Sequence, residues 1–276
     1  MTKIVSFLPS STEILYELGI GDQVVGVTHE CKFPEDAKTK PRVINSSFET
    51  AKLSSTEIDK KIVELAQTGG DIYLIDDKKL TESTPDLIVA QGVCEVCAPF
   101  TKEIERAVSI LGYRPDILVL DPHDLDDILV SVMDIAEHVN RIKKGRELVA
   151  SLQKRIDHIK AKSAASMRIN NRVQRPKVLC IEWIDPLFIA GHWIPQMVEI
   201  AGGVNGISSR GSPSRRISLD EILRLQPDKI ILMPCGFDLD RTLQESRILK
   251  KNAKWANMKA VKENEVYAVK DRKSVV

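Results

Sequence analysis

The stretch LDDILVSVMDIAEHVNRIKKGRELVASLQKRIDHIKAKSAASMRI, residues 125–169, contains no proline and a single glycine, and its apolar side chains recur at helical spacing. Forty-odd residues rising about 1.5 Å each make a rod of roughly 65 Å if unbroken. Such a helix is too long to sit inside one small lobe, so the segment from Asp124 to Ile169 reads as a rigid spacer between two bodies. What flanks it decides the fold class.

On the amino-terminal side, KIVSFLP (3–9) has the short apolar run of a buried strand, and Ser10 with Glu13 has the spacing of a capping box ahead of the periodic ILYELG. VVGVT (24–28), TPDLIVAQ (84–91) and DILVL (116–120) read as further strands. Between them SSTEIDKKIVELAQTG carries a second capping signature, a helical period and a stop at Gly69-Gly70. After the polar linker NNRVQRP (170–176) the alternation resumes with KVLCIEW, a helix near PQMVEIAGG, then SLDEILRLQ, PDKIILMP and EVYAV. Strands alternating with helices predict parallel βαβ units, whose functional loops lie at the carboxyl ends of the strands. TPDLIVAQ in one half answers QPDKIILMP in the other. The expected architecture is therefore α/β: two similar lobes with parallel sheets, residues 1–123 and 170–276, joined by one long helix over 124–169, with a cleft between them.

The totals narrow the function class. The chain has 276 residues, 43% hydrophobic, with 40 basic and 39 acidic side chains, which points to neither disorder nor general affinity for nucleic acid. The charge is uneven, with 13 basic against 19 acidic groups in residues 1–120 and 27 against 20 afterwards. Much of the later excess falls between Lys154 and Lys177, where a solvated helix face explains it. No segment approaches the ~20 apolar residues of a membrane span. The run IVSFL is too short for a signal-peptide core, so the sequence as written predicts a cytoplasmic protein, the alternative being an extracytoplasmic one whose leader has been removed. Five cysteines, an odd number, argue against a disulfide scaffold.

The unusual residues fall after predicted strands, in HECKFP (29–34), QGVCEVCAPF (91–100), EWIDPLFIAGHWIP (182–195) and PCGFD (234–238). If the lobes face each other, the rings of Phe33, Trp183, Phe188, Trp193 and Phe237 line one cleft, with His29, Glu30, Gln91, Asp185 and His192 as its polar groups. An apolar cleft with a few convergent polar groups is the usual form of a small-molecule site. Each piece also has a structural reading: tryptophans in the core, a satisfied histidine, turns at Asp185-Pro186 and Ser212-Pro213-Ser214. Cys94 and Cys97 have CxxC spacing, and His29 with Cys31 would complete a Cys3His zinc site; alternatively the thiols are small hydrophobes. No Ser/His/Asp order, P-loop, HExxH or GxGxxG occurs, so the usual parts of a hydrolase, NTPase or dehydrogenase are missing.

HECKFP, QGVCEVC, EWIDPLFIAGHW, GSPSR and LMPCGFD, in this order and at these separations, resemble the cobalamin-binding branch of the ABC-transporter substrate-binding proteins, within the helical-backbone metal receptor superfamily. The resemblance covers nearly the whole chain. It implies two Rossmann-like lobes on one long helix, a large flat corrinoid such as cobalamin between them, and no catalytic residue. It brings Glu95 and Ser214 into the ligand-binding set. The expected role is that of an ABC importer's receptor, with a permease as partner, or of an intracellular corrinoid carrier, acting as a monomer. The rival expectation is a protein binding zinc, iron or haem, or a thiol-dependent enzyme, built on His29, Cys31, Cys94 and Cys97. Relatives usually continue through a further strand and helix after the segment matching EVYAV, which bears on how the second lobe is closed.

Overall fold

The structure is a computed structural model and describes residues 1–92, 101–169 and 174–270. The amino-terminal lobe is built on a six-stranded sheet of β1 (Ile4–Ser6), β2 (Val24–Thr28), β3 (Arg42–Ser46), β4 (Tyr73–Ile75), β5 (Leu87–Gln91) and β6 (Asp116–Leu120). Its order is β4-β3-β2-β1-β5-β6, parallel except for β4. The strands read as β1, β2, β5 and β6 are all present. β3 and β4 are not among the strands read from the sequence: RVINS has only two adjacent apolar residues, and β4 lies in IYLI (72–75), a run of only four flanked by Asp71 and Asp76.

Helix α1 (Pro9–Glu17) follows β1, but Ser10 and Glu13 do not cap it. Its N-cap is Leu8, with no side-chain cap. Pro9 suits a first helical position, where a missing N–H loses nothing, and Glu13 is buried at 3% exposure. The nearby hydroxyls serve the chain reversal instead: Ser6 Oγ and Ser11 Oγ both donate to the Leu8 carbonyl, at 2.8 and 3.1 Å. Helix α2 (Ser55–Thr68) does carry the expected capping box, Ser54 with Glu57, and stops at Gly69 in the left-handed conformation. The lobe is completed by α3 (Asp77–Ser83) and α4 (Thr101–Leu111).

The unbroken rod expected over 125–169 is two helices, α5 (Leu125–His138) and α6 (Ile142–Ile169). The break lies at Asn140, which adopts φ +54°, a conformation Asn tolerates at a helix end. The Arg141 N–H then reaches back to the Ala136 carbonyl at 2.6 Å. The chain folds into a hairpin, and Gly145 permits the close crossing: a Cβ there would lie 2.5 Å from Ala136 Cβ. Val132, Ile135 and Ala136 of α5 join the amino-terminal core beside Ile4, Leu15 and Val24. The 28 residues of α6 make a rod of roughly 42 Å. This single long helix carries the chain to the second lobe, where Gly202 backs onto Ser163.

The second lobe has a five-stranded sheet of β7 (Val178–Trp183), β8 (Phe188–Ile189), β9 (Arg215–Arg216), β10 (Lys229–Leu232) and β11 (Val266–Ala268), in the order β11-β10-β7-β8-β9. Strands β11, β10 and β7 are parallel, and the two-residue strands β8 and β9 are antiparallel. Around it lie α7 (Ile194–Ile200), α8 (Leu219–Leu225), capped by a box of Ser218 and Glu221, and α9 (Leu239–Glu245). The third tryptophan, Trp255, is core, packed with Leu179, Ile181, Ile230 and Met258.

The repeated Pro-Asp motif has one physical meaning in both lobes. α3 and α8 end on residues with positive φ, Thr84 (+41°) and Gln226 (+47°), immediately before the prolines. Asp86 then accepts the Lys3 N–H ahead of β1 at 2.8 Å, and Asp228 accepts the Lys177 N–H ahead of β7 at 2.7 Å. Each aspartate thus ties the start of its lobe's central strand to the strand that pairs with it.

Candidate ligand-binding cleft

Strand β2 leads into the first group of predicted residues. The Thr28 hydroxyl accepts the Glu30 N–H at 3.2 Å, turning the chain sharply after the strand. His29 Nε2 lies 3.5 Å from Glu30 Oε1, and Lys32 Nζ donates to Glu30 Oε2 at 2.9 Å. Burial lowers the His29 pKa and outweighs the opposing charge of Glu30. The ring therefore stays neutral at pH 7. Phe33 is 44% exposed, and Gln91 stands half-buried at the end of β5.

Cys31 faces the other way, into the core. It is 3% exposed among Ile4, Leu8 and Leu15, and its Sγ lies 3.1 Å from Thr12 Oγ1 and 3.4 Å from Thr28 Oγ1. Burial raises its thiol pKa, which opposes the thiolate that metal ligation requires. Among the described residues no group of three or more His, Cys, Asp and Glu side chains is placed to hold a metal ion. Cys94, Glu95 and Cys97 lie outside the described residues.

In the second lobe the predicted residues gather after β7. Phe237 is buried rather than open: its ring centroid is 5.2 Å from that of Trp183, and the Arg241 guanidinium covers it at 3.7 Å. Phe188 lies under Arg216, 5.5 Å from ring centroid to guanidinium carbon. Gly191 is held against the backbone of 212–214, since a Cβ there would approach Pro213 C and Ser214 N to 2.5 Å. Ser214 Oγ accepts the Gly191 N–H at 3.1 Å, so Ser214 shapes this loop. His192 follows with φ +54° and is tied to the 211–212 backbone, its N–H to the Ser212 carbonyl at 2.6 Å and its carbonyl to the Gly211 N–H at 3.0 Å. Its ring centroid lies 5.8 Å from that of Trp193, and both side chains are half-buried.

The two lobes meet at two edges. At the start of α2, Ser55 donates through N and Oγ to Glu245 Oε2 at 3.2 and 2.9 Å, and Thr56 Oγ1 donates to Asp185. Trp183 Nε1 donates to the Ser55 carbonyl at 3.2 Å, and Arg216 grips Asp59 with bonds of 2.8 and 2.9 Å. Arg241 Nη2 donates to the Thr50 and Leu53 carbonyls at 3.1 and 2.6 Å. At the start of α5, Arg210 pairs with Asp124 (2.8 Å) and Asp126, and the Leu125 N–H donates to Gln196 Oε1 at 2.8 Å. Because α2 follows β3 and α5 follows β6, these contacts lie toward opposite edges of the amino-terminal sheet. His29, just after β2, and Gln91, the last residue of β5, lie at strand ends between them.

Read from sequence, the only functional role of Trp183 and Asp185 is contact with a ligand; in the structure they bond to Ser55 and Thr56 of the other lobe, partners that the sequence does not reveal. The SST of α2 showed as a cap, and nothing in a periodic pattern links Ser55 to Glu245, 190 positions away. Arg216, Arg241 and Arg210 lie in the same position: their partners exist only once the lobes are opposed.

The comparisons with known proteins agree with the two-lobed α/β fold. The chain is similar to the uncharacterized ABC transporter substrate-binding lipoprotein YvrC of Bacillus subtilis (strain 168), 23% identical over 271 residues that span 97% of this chain and 72% of the relative. It is also similar to a vitamin B12-binding protein of Vibrio campbellii, 22% identical over 227 residues, 82% of this chain and 68% of that one. The crystal structure of S. aureus IsdE complexed with heme superposes with a TM-score of 0.71 at 20% identity, covering 98% of this chain and 90% of that one, a likeness of fold. The model of the periplasmic binding protein family matches residues 4–273, and the chain belongs to that family.

Proposed function

We propose that the protein is a non-enzymatic corrinoid receptor that binds a cobalamin-like ligand between its lobes and delivers it to an ABC permease. What supports the reading is placement: His29, Phe33 and Gln91 follow or end β2 and β5, whose carboxyl ends lie between the inter-lobe bonds made at α2 and α5, and His192 and Trp193 lie in the segment beyond β7, between Asp185 and Gln196, which make such bonds. Indole and phenyl faces offer rigid apolar area to a corrin ring, and amide or carboxylate groups such as Gln91 and Glu30 match its amide side chains. Glu95, four positions after Gln91 in the sequence, belongs to the same proposed set.

The electrostatics favour an amide-bearing ligand over a dicarboxylate such as haem. Cations are the strongest partners for propionates, and the arginines that reach across the lobes are already engaged: Arg216 by Asp59, Arg210 by Asp124 and Asp126, Arg241 by two backbone carbonyls. The vitamin B12-binding relative supports the same reading. Similarity to an ABC transporter lipoprotein supports a place outside the cytoplasmic membrane, in preference to the cytoplasmic expectation. Among the described residues no helix is long and apolar enough to cross a membrane.

Titration calorimetry against cyanocobalamin, cobinamide, haem and zinc tests the proposal. Corrinoid binding should be saturable and tighter than haem binding. Trp193→Ala should weaken it roughly 5- to 150-fold, by analogy with the loss of one base stacked on an aromatic ring. A protein that takes up haem or zinc and ignores both corrinoids would refute it.

A further inference from the structure

Ser55 and Thr56 open a helix of 14 residues, where backbone N–H groups lack intrahelical partners and the helix dipole presents its positive end. Two carboxylates from the other lobe come to that end, Glu245 on the Ser55 N–H and hydroxyl and Asp185 on the Thr56 hydroxyl. Trp183 reinforces the contact by donating to the Ser55 carbonyl at 3.2 Å. Hydrogen bonds to charged acceptors are among the stronger ones available at an interface.

The position of this contact matters as much as its chemistry. On one side of the molecule α5, α6 and α7 form a continuous spine: α5 and α6 cross at Gly145, Gly202 just beyond α7 backs onto α6, and Gln196 of α7 holds the first residue of α5. The α2 contact sits toward the other edge of the sheet, β6 being at the spine edge and β3 next to the far one. If the lobes part about the spine, the start of α2 separates from Glu245 and Asp185 by more than any bond beside α5.

We infer that the start of α2, held by Glu245 and Asp185, is a clasp that gates opening of the cleft and so sets the rate of ligand exchange. This rests on the reading of the cleft as a ligand site. It gives Asp185 and Trp183 a closing role, distinct from contact with the ligand. Loss of the clasp shifts the ratio of open to closed forms without removing ligand contacts, so both association and dissociation become faster.

The test is the double variant Thr56→Val with Glu245→Ala, compared with the parent and with the conservative Thr56→Ser. Stopped-flow mixing with cyanocobalamin should show association and dissociation both faster by roughly tenfold or more, the scale of one charged hydrogen bond, with a smaller change in Kd. Small-angle scattering of the ligand-free double variant should give a larger radius of gyration than the parent, and Thr56→Ser should match the parent. Unchanged rates and an unchanged radius would overturn the clasp. So would a rise in dissociation alone, matched by a rise in Kd, which is the signature of a lost ligand contact. A parent that binds no corrinoid counts against the proposed function, and the ligand-free radius then decides the clasp by itself.

Discussion

Arg241 serves both lobes at once: its guanidinium carbon lies 3.7 Å from the centroid of the Phe237 ring, and its Nη2 donates to the Thr50 and Leu53 carbonyls of the other lobe. Burial lowers its pKa, yet an arginine remains a cation. The planar, forked head makes the stacking and the two bonds compatible, which an ammonium cannot reproduce. Arg241→Lys should therefore cost about 1–3 kcal/mol in urea unfolding. A loss within about 0.5 kcal/mol, the usual range of a neutral surface change, would show the contact to be idle.

Gly191 should be far less replaceable than Gly236. A Cβ at 191 meets the backbone of 212–214, which cannot rotate aside as a side chain tip can, whereas at Gly236 it meets nothing within 4 Å and only the φ of +74° resists. Gly236→Ala should cost roughly 1–2 kcal/mol, the strain of a left-handed L-residue. Gly191→Ala should cost more and, on the proposed function, should also weaken corrinoid binding by displacing His192 and Trp193. Equal melting temperatures for the two variants would contradict the close approach.

The buried thiols should be inert in the native protein. Burial pushes Cys180 up to about 12 and raises Cys31 as well, so neither supplies thiolate at neutral pH. N-ethylmaleimide at pH 7.5, read by peptide mass spectrometry, should modify both only after denaturant is added. Rapid native labelling of Cys31 would mean that it opens toward the cleft, as a metal ligand would have to.

Acid should weaken the α5 edge of the interface. The hydrogen bond from Arg210 is the largest influence on Asp124 and holds its carboxyl below the usual range. A depressed folded pKa contributes stability that is complete above the unfolded value, about 3.9 for aspartate, and is lost as pH falls through the folded one. Unfolding free energy should thus decline below about pH 4. Asp124→Asn keeps the cap on the Asp127 N–H and should decline less steeply. Identical slopes would remove Asp124 from the account.

Much of the fold was legible because local signals and tertiary structure agree. VVGVT, LIVAQ and DILVL are apolar runs that become interior parallel strands or their neighbours, and Ser54/Glu57 and Ser218/Glu221 satisfy helix starts within four residues. The errors came where local signals mislead. Asn140 breaks the helical run through a positive φ that no apolar period records, and Pro9 displaces the Ser10 cap. The site was half legible for a similar reason. Aromatic and polar residues after strands marked the loops, but whether a ring faces a ligand or, like Phe237, lies under an arginine depends on side chains distant in sequence. The separations of 128 to 190 positions between Trp183, Asp185 and Glu245 and their partners on α2 lie beyond any pattern within one segment.

The passage of the chain from one sheet to the other only through α6 has a practical reach. Every strand of the first sheet precedes every strand of the second, so neither sheet borrows a strand across the divide. Two fragments cut between α6 and β7 would each retain a complete sheet, and the surfaces that must find each other again are the polar ones at α2 and α5 together with the α6–α7 face. Such halves are suited to complementation: expressed apart, each fused to half of a reporter, they would reassemble most strongly if a ligand fills the space between them, turning the protein into a sensor for that ligand.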